Sequence, residues 1–203
     1  MLDKVSDYYS EKIKSNGISP RGVDWNSKES QYIRYDQLTK LIELENHFSI
    51  LDYGCGYCDY YYYLTTKFDS LQYIGYDISK EMLSAAKEHL GTSNRDEIIL
   101  SDKEPEKVVD FVVASGLFNV KLDNSLENWR QYIEATILKF DKLSKRGFSF
   151  NILTSYSDKE YLKDYLFYAN PSYFFSFCKE NISKNVALLH DYQLYEFTII
   201  VRK

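Results

Sequence analysis

The chain has 203 residues, 44% hydrophobic and 27% charged, with a formal net charge of −5; that length suits one domain with a sizeable core and is short for two. The acidic balance argues against a nucleic-acid partner, which needs a basic stripe, and no apolar run is long enough to span a membrane. Three cysteines fit a reducing compartment better than a disulfide framework, and the first residues carry no apolar signal-peptide core, so a cytoplasmic protein is expected.

In chain order, residues 7–14 suggest a short helix ending near Gly17, and residues 19–26 a loop broken by Pro20 and Gly22. Ser27 suits the cap of a second helix, whose Tyr32, Tyr35, Leu38, Leu41 and Ile42 recur at helical spacing. Residues 1–46 therefore read as an arm ahead of the first strand. The organising stretch is Ser49-Ile-Leu-Asp-Tyr-Gly-Cys-Gly-Tyr-Cys-Asp59, an apolar strand that breaks into a glycine-rich turn. Gly54 and Gly56 remove side chains where the backbone must turn and approach a ligand, and Asp59 is placed to cap the helix that follows. A second strand, residues 71–78, ends in Asp77, about 20 residues beyond Gly56, the interval at which a carboxylate meets ribose hydroxyls.

Ser79 caps a helix over residues 80–90, whose Met82, Leu83, Ala86 and Leu90 share one face; His89 near its end suits the helix dipole. Residues 98–100 form a third strand and 108–114 a fourth, with Asp110 structural at its start. Ligands of open α/β sheets sit beyond the carboxyl ends of the strands, which puts Ser115, Gly116 and Asn119 at the ligand. Residues 125–145 make a long amphipathic helix with Trp129, Tyr132, Ile133, Ile137, Phe140 and Leu143 at core spacing. Gly147 to Leu153 reads as the fifth strand, with a polar Asn151 in an apolar run, followed by a loop through Asp158. A helix is predicted at 162–168 and another from Ser172. Residues 186–191 and 195–202 give two closing strands joined by Tyr192-Gln-Leu194. Most of the twenty tyrosines and twelve phenylalanines are expected in core and rim packing, with some lining a pocket.

The LDYGCG motif and the order of elements after it resemble the class I S-adenosylmethionine-dependent methyltransferases, over most of the chain. The resemblance implies an α/β fold, a Rossmann-like three-layer α/β/α sheet of seven strands, mostly parallel, closed by an antiparallel carboxyl-terminal hairpin. It makes residues 1–203 a single domain, with the arm of residues 1–46 covering the cofactor and 47–203 as the core. S-adenosyl-L-methionine is the implied cofactor. Its expected grip is Asp52, Gly54, Gly56, Asp77, Ile78, Ser101, Asp102, Ser115 and Gly116, with Ser101-Asp102 at the adenine. Trp25 and Arg34 of the arm are expected over it, beside Arg21, Asp24, Gln31 and Tyr35.

The acceptor is expected to be a small polar metabolite, a sugar or a phosphorylated precursor among the candidates, methylated on oxygen or nitrogen, in a monomer or homodimer. Asn119, Asn151, Asp158 and Tyr192 are its candidate contacts. His190, at the end of an apolar strand, is the candidate base; the alternative is a histidine held structurally by the Tyr192 turn. Two rivals stand beside this reading. An NAD-dependent oxidoreductase is disfavoured because Asp59 occupies the third position of a GxGxxG turn, where a carboxylate would repel pyrophosphate. A non-catalytic adenosylmethionine-binding or partner-binding module would keep the fold without the chemistry. The Cys55-Gly-Tyr-Cys58 pair resembles a redox motif, but none of Pro20, Pro105 and Pro171 suits the facing cis-proline. A metal site is not expected either, since Cys178 and the histidines lack ligand spacing.

Overall fold

A computed structural model describes residues 2–43, 47–91 and 98–203. Five parallel strands, β1 (Phe48–Tyr53), β2 (Leu71–Tyr76), β3 (Ile98–Ser101), β4 (Val109–Ala114) and β5 (Ser144–Leu153), are joined by β6 (Asn185–Leu189) and β7 (Glu196–Arg202). The sheet order is β3-β2-β1-β4-β5-β7-β6, with β7 antiparallel to both of its neighbours. Strand order reverses between β1 and β4, which opens a crevice beyond their carboxyl ends.

Successive strand residues are buried in opposite cores because both sheet faces are covered. Leu51, Val112 and Ile199 join one core with α5 (Leu126–Leu143) and α6 (Pro171–Asn181). Ile50, Val113 and Ile200 join the other, against α2 (Lys28–Thr39), α3 (Asp59–Thr65) and α4 (Lys80–Leu90). On α5 the spacing of Trp129, Ile133, Ile137 and Phe140 buries all four completely. Four full burials on one helix contribute about 6–12 kcal/mol as an upper bound, at about 1.5–3 kcal/mol for each large side chain.

The helix starts follow local chemistry. Ser27, Ser79 and Ser125 each accept a backbone N–H from three residues on, at 3.2, 3.1 and 3.2 Å. Asn170 caps α6 with Pro171 in its first turn. The amino-terminal helix α1 (Leu2–Asn16) begins earlier than the sequence suggests, and the loop after it contains a 3₁₀ turn, Pro20–Val23, capped by Ser19. The arm's expected end at residue 46 lies outside the described residues.

Two local readings are corrected. Asp59 is not the cap of α3: Cys58 holds that place in the left-handed region, φ 64°, without a side-chain cap bond, and Asp59 is the first helical residue. The helix predicted at 162–168 does not form. A 3₁₀ turn, Lys159–Tyr161, is followed by chain whose backbone bonds go elsewhere. The Tyr165 carbonyl accepts from Lys121 and Leu122 at 3.0 and 2.9 Å, and Phe167 N–H donates to Asn119 O at 2.8 Å. Those long-range bonds satisfy the groups that a helix would have paired.

Candidate active site

The crevice at the β1/β4 reversal holds a recess of about 950 Å³, its open mouth included. Its floor is the turn after β1. Gly54 (φ 86°) and Gly56 (φ 54°) adopt a conformation that side chains resist, and a Cβ on Gly56 would lie 2.9 Å from Val23 Cγ1. The arm therefore sits directly on the glycine turn. Leu2, Val5 and Tyr9 of α1, Trp25 of the loop, and Gln31 and Tyr35 of α2 complete the cover.

Three carboxylates line the recess, and each is held differently. Asp52, at the end of β1, is buried and accepts the Tyr73 hydroxyl; burial lifts its carboxyl to about 7 against that hydrogen bond, with the Asp77 charge adding to the rise. Asp77 accepts Gly56 N–H at 2.9 Å and Ser79 N–H at 2.8 Å, and burial still raises it to about 6. Asp59 is raised by burial, offset by Lys28 and His89, and its buried Oδ2 has no hydrogen-bond partner. Ser115 Oγ, at the end of β4, is likewise buried without a partner. Among the described residues no lysine, arginine or histidine lines the recess. None of the described His, Cys, Asp and Glu side chains cluster to hold a metal ion, and Cys55, Cys58 and Cys178 are free and buried.

Of the site residues read from sequence, Trp25, Gln31, Tyr35, Asp52, Gly54, Gly56, Asp77, Ile78, Ser115 and Gly116 meet in this lining. The others stand outside it. Arg34 lies behind Trp25, its guanidinium carbon 3.9 Å from the ring centroid, and forms a buried ion pair with Glu196. Ser101 Oγ accepts Lys103 N–H at 3.0 Å, and Asp102 is exposed. Asn119 Oδ1 accepts Leu153 N–H at 3.1 Å, and Asn151 Oδ1 accepts Gly116 N–H at 2.7 Å, so both amides brace backbone. Asp158 accepts the Tyr195 hydroxyl, while the Tyr192 hydroxyl pairs with Thr198 at 3.0 Å.

His190 is exposed beyond β6, 6.0 Å from the Tyr156 ring between centroids. The end of β6 opens on the same side as β5, but β7 intervenes, which moves His190 to the sheet edge and away from the recess. That placement counts against the role of base.

Sequence reading missed the contribution of α1. Leu2, Val5 and Tyr9 fall at i, i+3 and i+7, a stripe that would have extended the first helix and marked an apolar face. Trp129 and Tyr132, read as core, also reach the recess, and Asp59, read both as a cap and as the carboxylate that disfavours a pyrophosphate, lines it too.

Residues 51–145 match the family model described as a methyltransferase domain. A provisionally named methyltransferase of Mycobacterium tuberculosis is 46% identical over 165 residues, covering 81% of this chain and 98% of that protein. Among solved structures, magnesium protoporphyrin IX methyltransferase from Synechocystis PCC 6803, with bound S-adenosylhomocysteine, superposes with a TM-score of 0.71 at 12% identity, over 100% of both chains. The N-methyltransferase NodS from Bradyrhizobium japonicum, also with S-adenosylhomocysteine, gives 0.67 at 12% identity, over 98% of this chain and 97% of that one. With the strand order, the glycine turn after β1 and the 46% identical relative in agreement, the chain belongs to the class I S-adenosylmethionine-dependent methyltransferases.

Proposed function

We propose that the recess binds S-adenosylmethionine and a small polar acceptor, and that the protein methylates the acceptor on oxygen or nitrogen. The observation that carries this reading is the charge of the lining: three aspartates and, among the described residues, no Lys, Arg or His. Such a site favours a cationic ligand and repels a pyrophosphate. Asp77, with both oxygens turned to the glycine turn and the α4 start, is set for the ribose hydroxyls. Asp77 N–H donates to Ser101 O at 3.3 Å, and the exposed Asp102 that follows Ser101 is the proposed partner of the adenine amino group. Gly54 and Gly56 admit close approach, and Trp25 closes the site from above.

When bound, the cofactor supplies an electrophilic methyl group on a sulfonium. The protein's part is to hold the acceptor in line with that methyl and to exclude water. Tyr9, Tyr53 and Tyr132, with Leu2 and Val5, supply an aromatic and apolar wall for the acceptor. A phosphorylated acceptor is not adopted, because the lining offers no cation to a phosphate. Nor does it offer a histidine, so rate is assigned to positioning rather than to a dedicated imidazole base.

Calorimetric titration with S-adenosylmethionine, S-adenosylhomocysteine and NAD tests the cofactor. Binding of the first two and not of NAD is expected; no binding of S-adenosylmethionine, or tighter binding of NAD, overturns the reading. Transfer of a labelled methyl group into a pool of small metabolites, but not into phosphate esters alone, tests the acceptor class.

A further inference from the structure

We propose that Asp24 is a positioning residue: it ties the loop that carries Trp25 to α1, and so seats the indole over the recess and slows release of the bound ligand. The inference rests on the cofactor assignment above for its ligand, and on the cover's own geometry for its mechanism. Residues 23–25 each meet a different element. Val23 stands over Gly56, the Trp25 ring stands where a Cβ on Gly116 would lie, and both side chains line the recess. Asp24, between them, turns to α1 instead. Its Oδ2 accepts the Tyr8 hydroxyl at 2.7 Å and its Oδ1 accepts Lys12 Nζ at 2.6 Å. Tyr8 and Lys12 are four residues apart on the helix, so both reach one carboxylate. Burial, and then the bond to Asp24, push the Tyr8 hydroxyl above its ordinary range, which keeps it a donor.

The backbone under this carboxylate is strained. Asp24 ends the 3₁₀ turn at φ 64° and ψ 27°, a region that side chains disfavour and that aspartate tolerates better than most. Asp24 N–H donates to Arg21 O at 3.1 Å and Trp25 N–H to Pro20 O at 2.8 Å, so the turn sets where the indole leaves the chain. A glycine holds the same turn without strain; what the aspartate adds is the pair of bonds to α1. Those bonds join two pieces of the cover, since α1 brings Leu2, Val5 and Tyr9 to the recess and the loop brings Trp25. Arg34 of α2, its guanidinium carbon 3.9 Å from the ring centroid, holds the indole but not the backbone that carries it. Ser10 anchors α1 to α4 separately, paired with Ser79 at 2.8 Å and donating to Glu81 at 2.9 Å. Loss of Asp24 therefore frees the loop and leaves the helix in place.

The test combines stopped-flow release of S-adenosylhomocysteine with acrylamide quenching of tryptophan fluorescence. The chain has two tryptophans and Trp129 is fully buried, so quenching of the ligand-free protein reads Trp25. Asp24→Gly removes the bonds and the strain together; it should raise koff about tenfold or more, the scale of one hydrogen bond to a charged group, and raise the quenching constant by about twofold or more, with the urea midpoint kept near that of wild type. Tyr8→Phe leaves the loop untouched; it should raise koff about threefold or more alone and add nothing to Asp24→Gly. Asp24→Asn keeps an acceptor oxygen and tolerates the turn, and should restore koff to within about threefold of wild type. A koff within about twofold of wild type in Asp24→Gly, or full additivity of Tyr8→Phe with it, overturns the proposal. If wild type does not bind S-adenosylhomocysteine, the cofactor assignment fails, and the quenching constant alone decides the seating of Trp25: an unchanged value in Asp24→Gly overturns that as well.

Discussion

Glu196→Gln should be among the most damaging single substitutions outside the recess. Glu196 opens β7 with its side chain 1% exposed, against Arg34 at 9%. One oxygen takes Arg34 Nε at 2.6 Å and the other takes the Asn151 amide, whose Oδ1 in turn holds Gly116 N–H at 2.7 Å. Arg34 also carries Trp25 on its face, so one carboxylate braces both the cover and the β4 turn of the recess. Removing its charge strands a buried guanidinium, a change that costs about 3–5 kcal/mol. At about 2–4 °C per kcal/mol for a chain of this size, Tm should fall by roughly 6–20 °C. Urea unfolding of Glu196→Gln, Arg34→Met and the double variant measures the coupling, which should exceed about 1 kcal/mol because the double variant leaves no unpaired charge. A cost for Glu196→Gln below about 1 kcal/mol, or additivity within about 0.5 kcal/mol, would refute the argument.

Gly116→Ala would place a Cβ 2.4 and 2.5 Å from Trp25 Cζ2 and Cη2 at φ 69°, so the indole must leave; S-adenosylmethionine affinity by calorimetry should drop at least about tenfold with the circular dichroism spectrum retained, and wild-type affinity would count against the cover. Asp52 and Asp77 titrate near 7 and 6, above the ordinary carboxylate value near 4. Their contribution to ligand-free stability is therefore fully present below about pH 4 and lost as pH rises through 6 and 7. Affinity for the cationic cofactor should move the opposite way, rising between about pH 5 and pH 8 as the carboxylates ionise, with a shallower rise in Asp77→Asn; a flat wild-type profile would sink this. His190→Ala, at the exposed sheet edge, should keep kcat within about twofold in the methyl-transfer assay, and a larger loss would restore it to the mechanism.

What the sequence made legible is what local chemistry decides. The turn after β1 needs Gly54 and Gly56 at positive φ, Asp77 follows the neighbouring strand at the interval the motif implies, and three serines cap three helices, each three residues from its partner. Failures came where the deciding partner is far away. Leu162, Tyr165 and Leu166 imitate a helix face, but the bonds that hold this stretch come from Asn119, Lys121 and Leu122. His190 ends an apolar strand as a catalytic residue would, yet β7, the last strand in the chain, enters between it and the site. Asn151 has the look of a ligand contact because it is polar in an apolar run, and its partners are Gly116 and Glu196. The same rule that misled there also contains the remedy. A glutamate heading the apolar run Phe-Thr-Ile-Ile-Val must be neutralised when that run is buried, which requires a cation equally removed from water. Among the described residues, Arg34 is the buried arginine or lysine, and its place on α2, stacked on Trp25, makes the pairing of arm and sheet a condition of forming the recess.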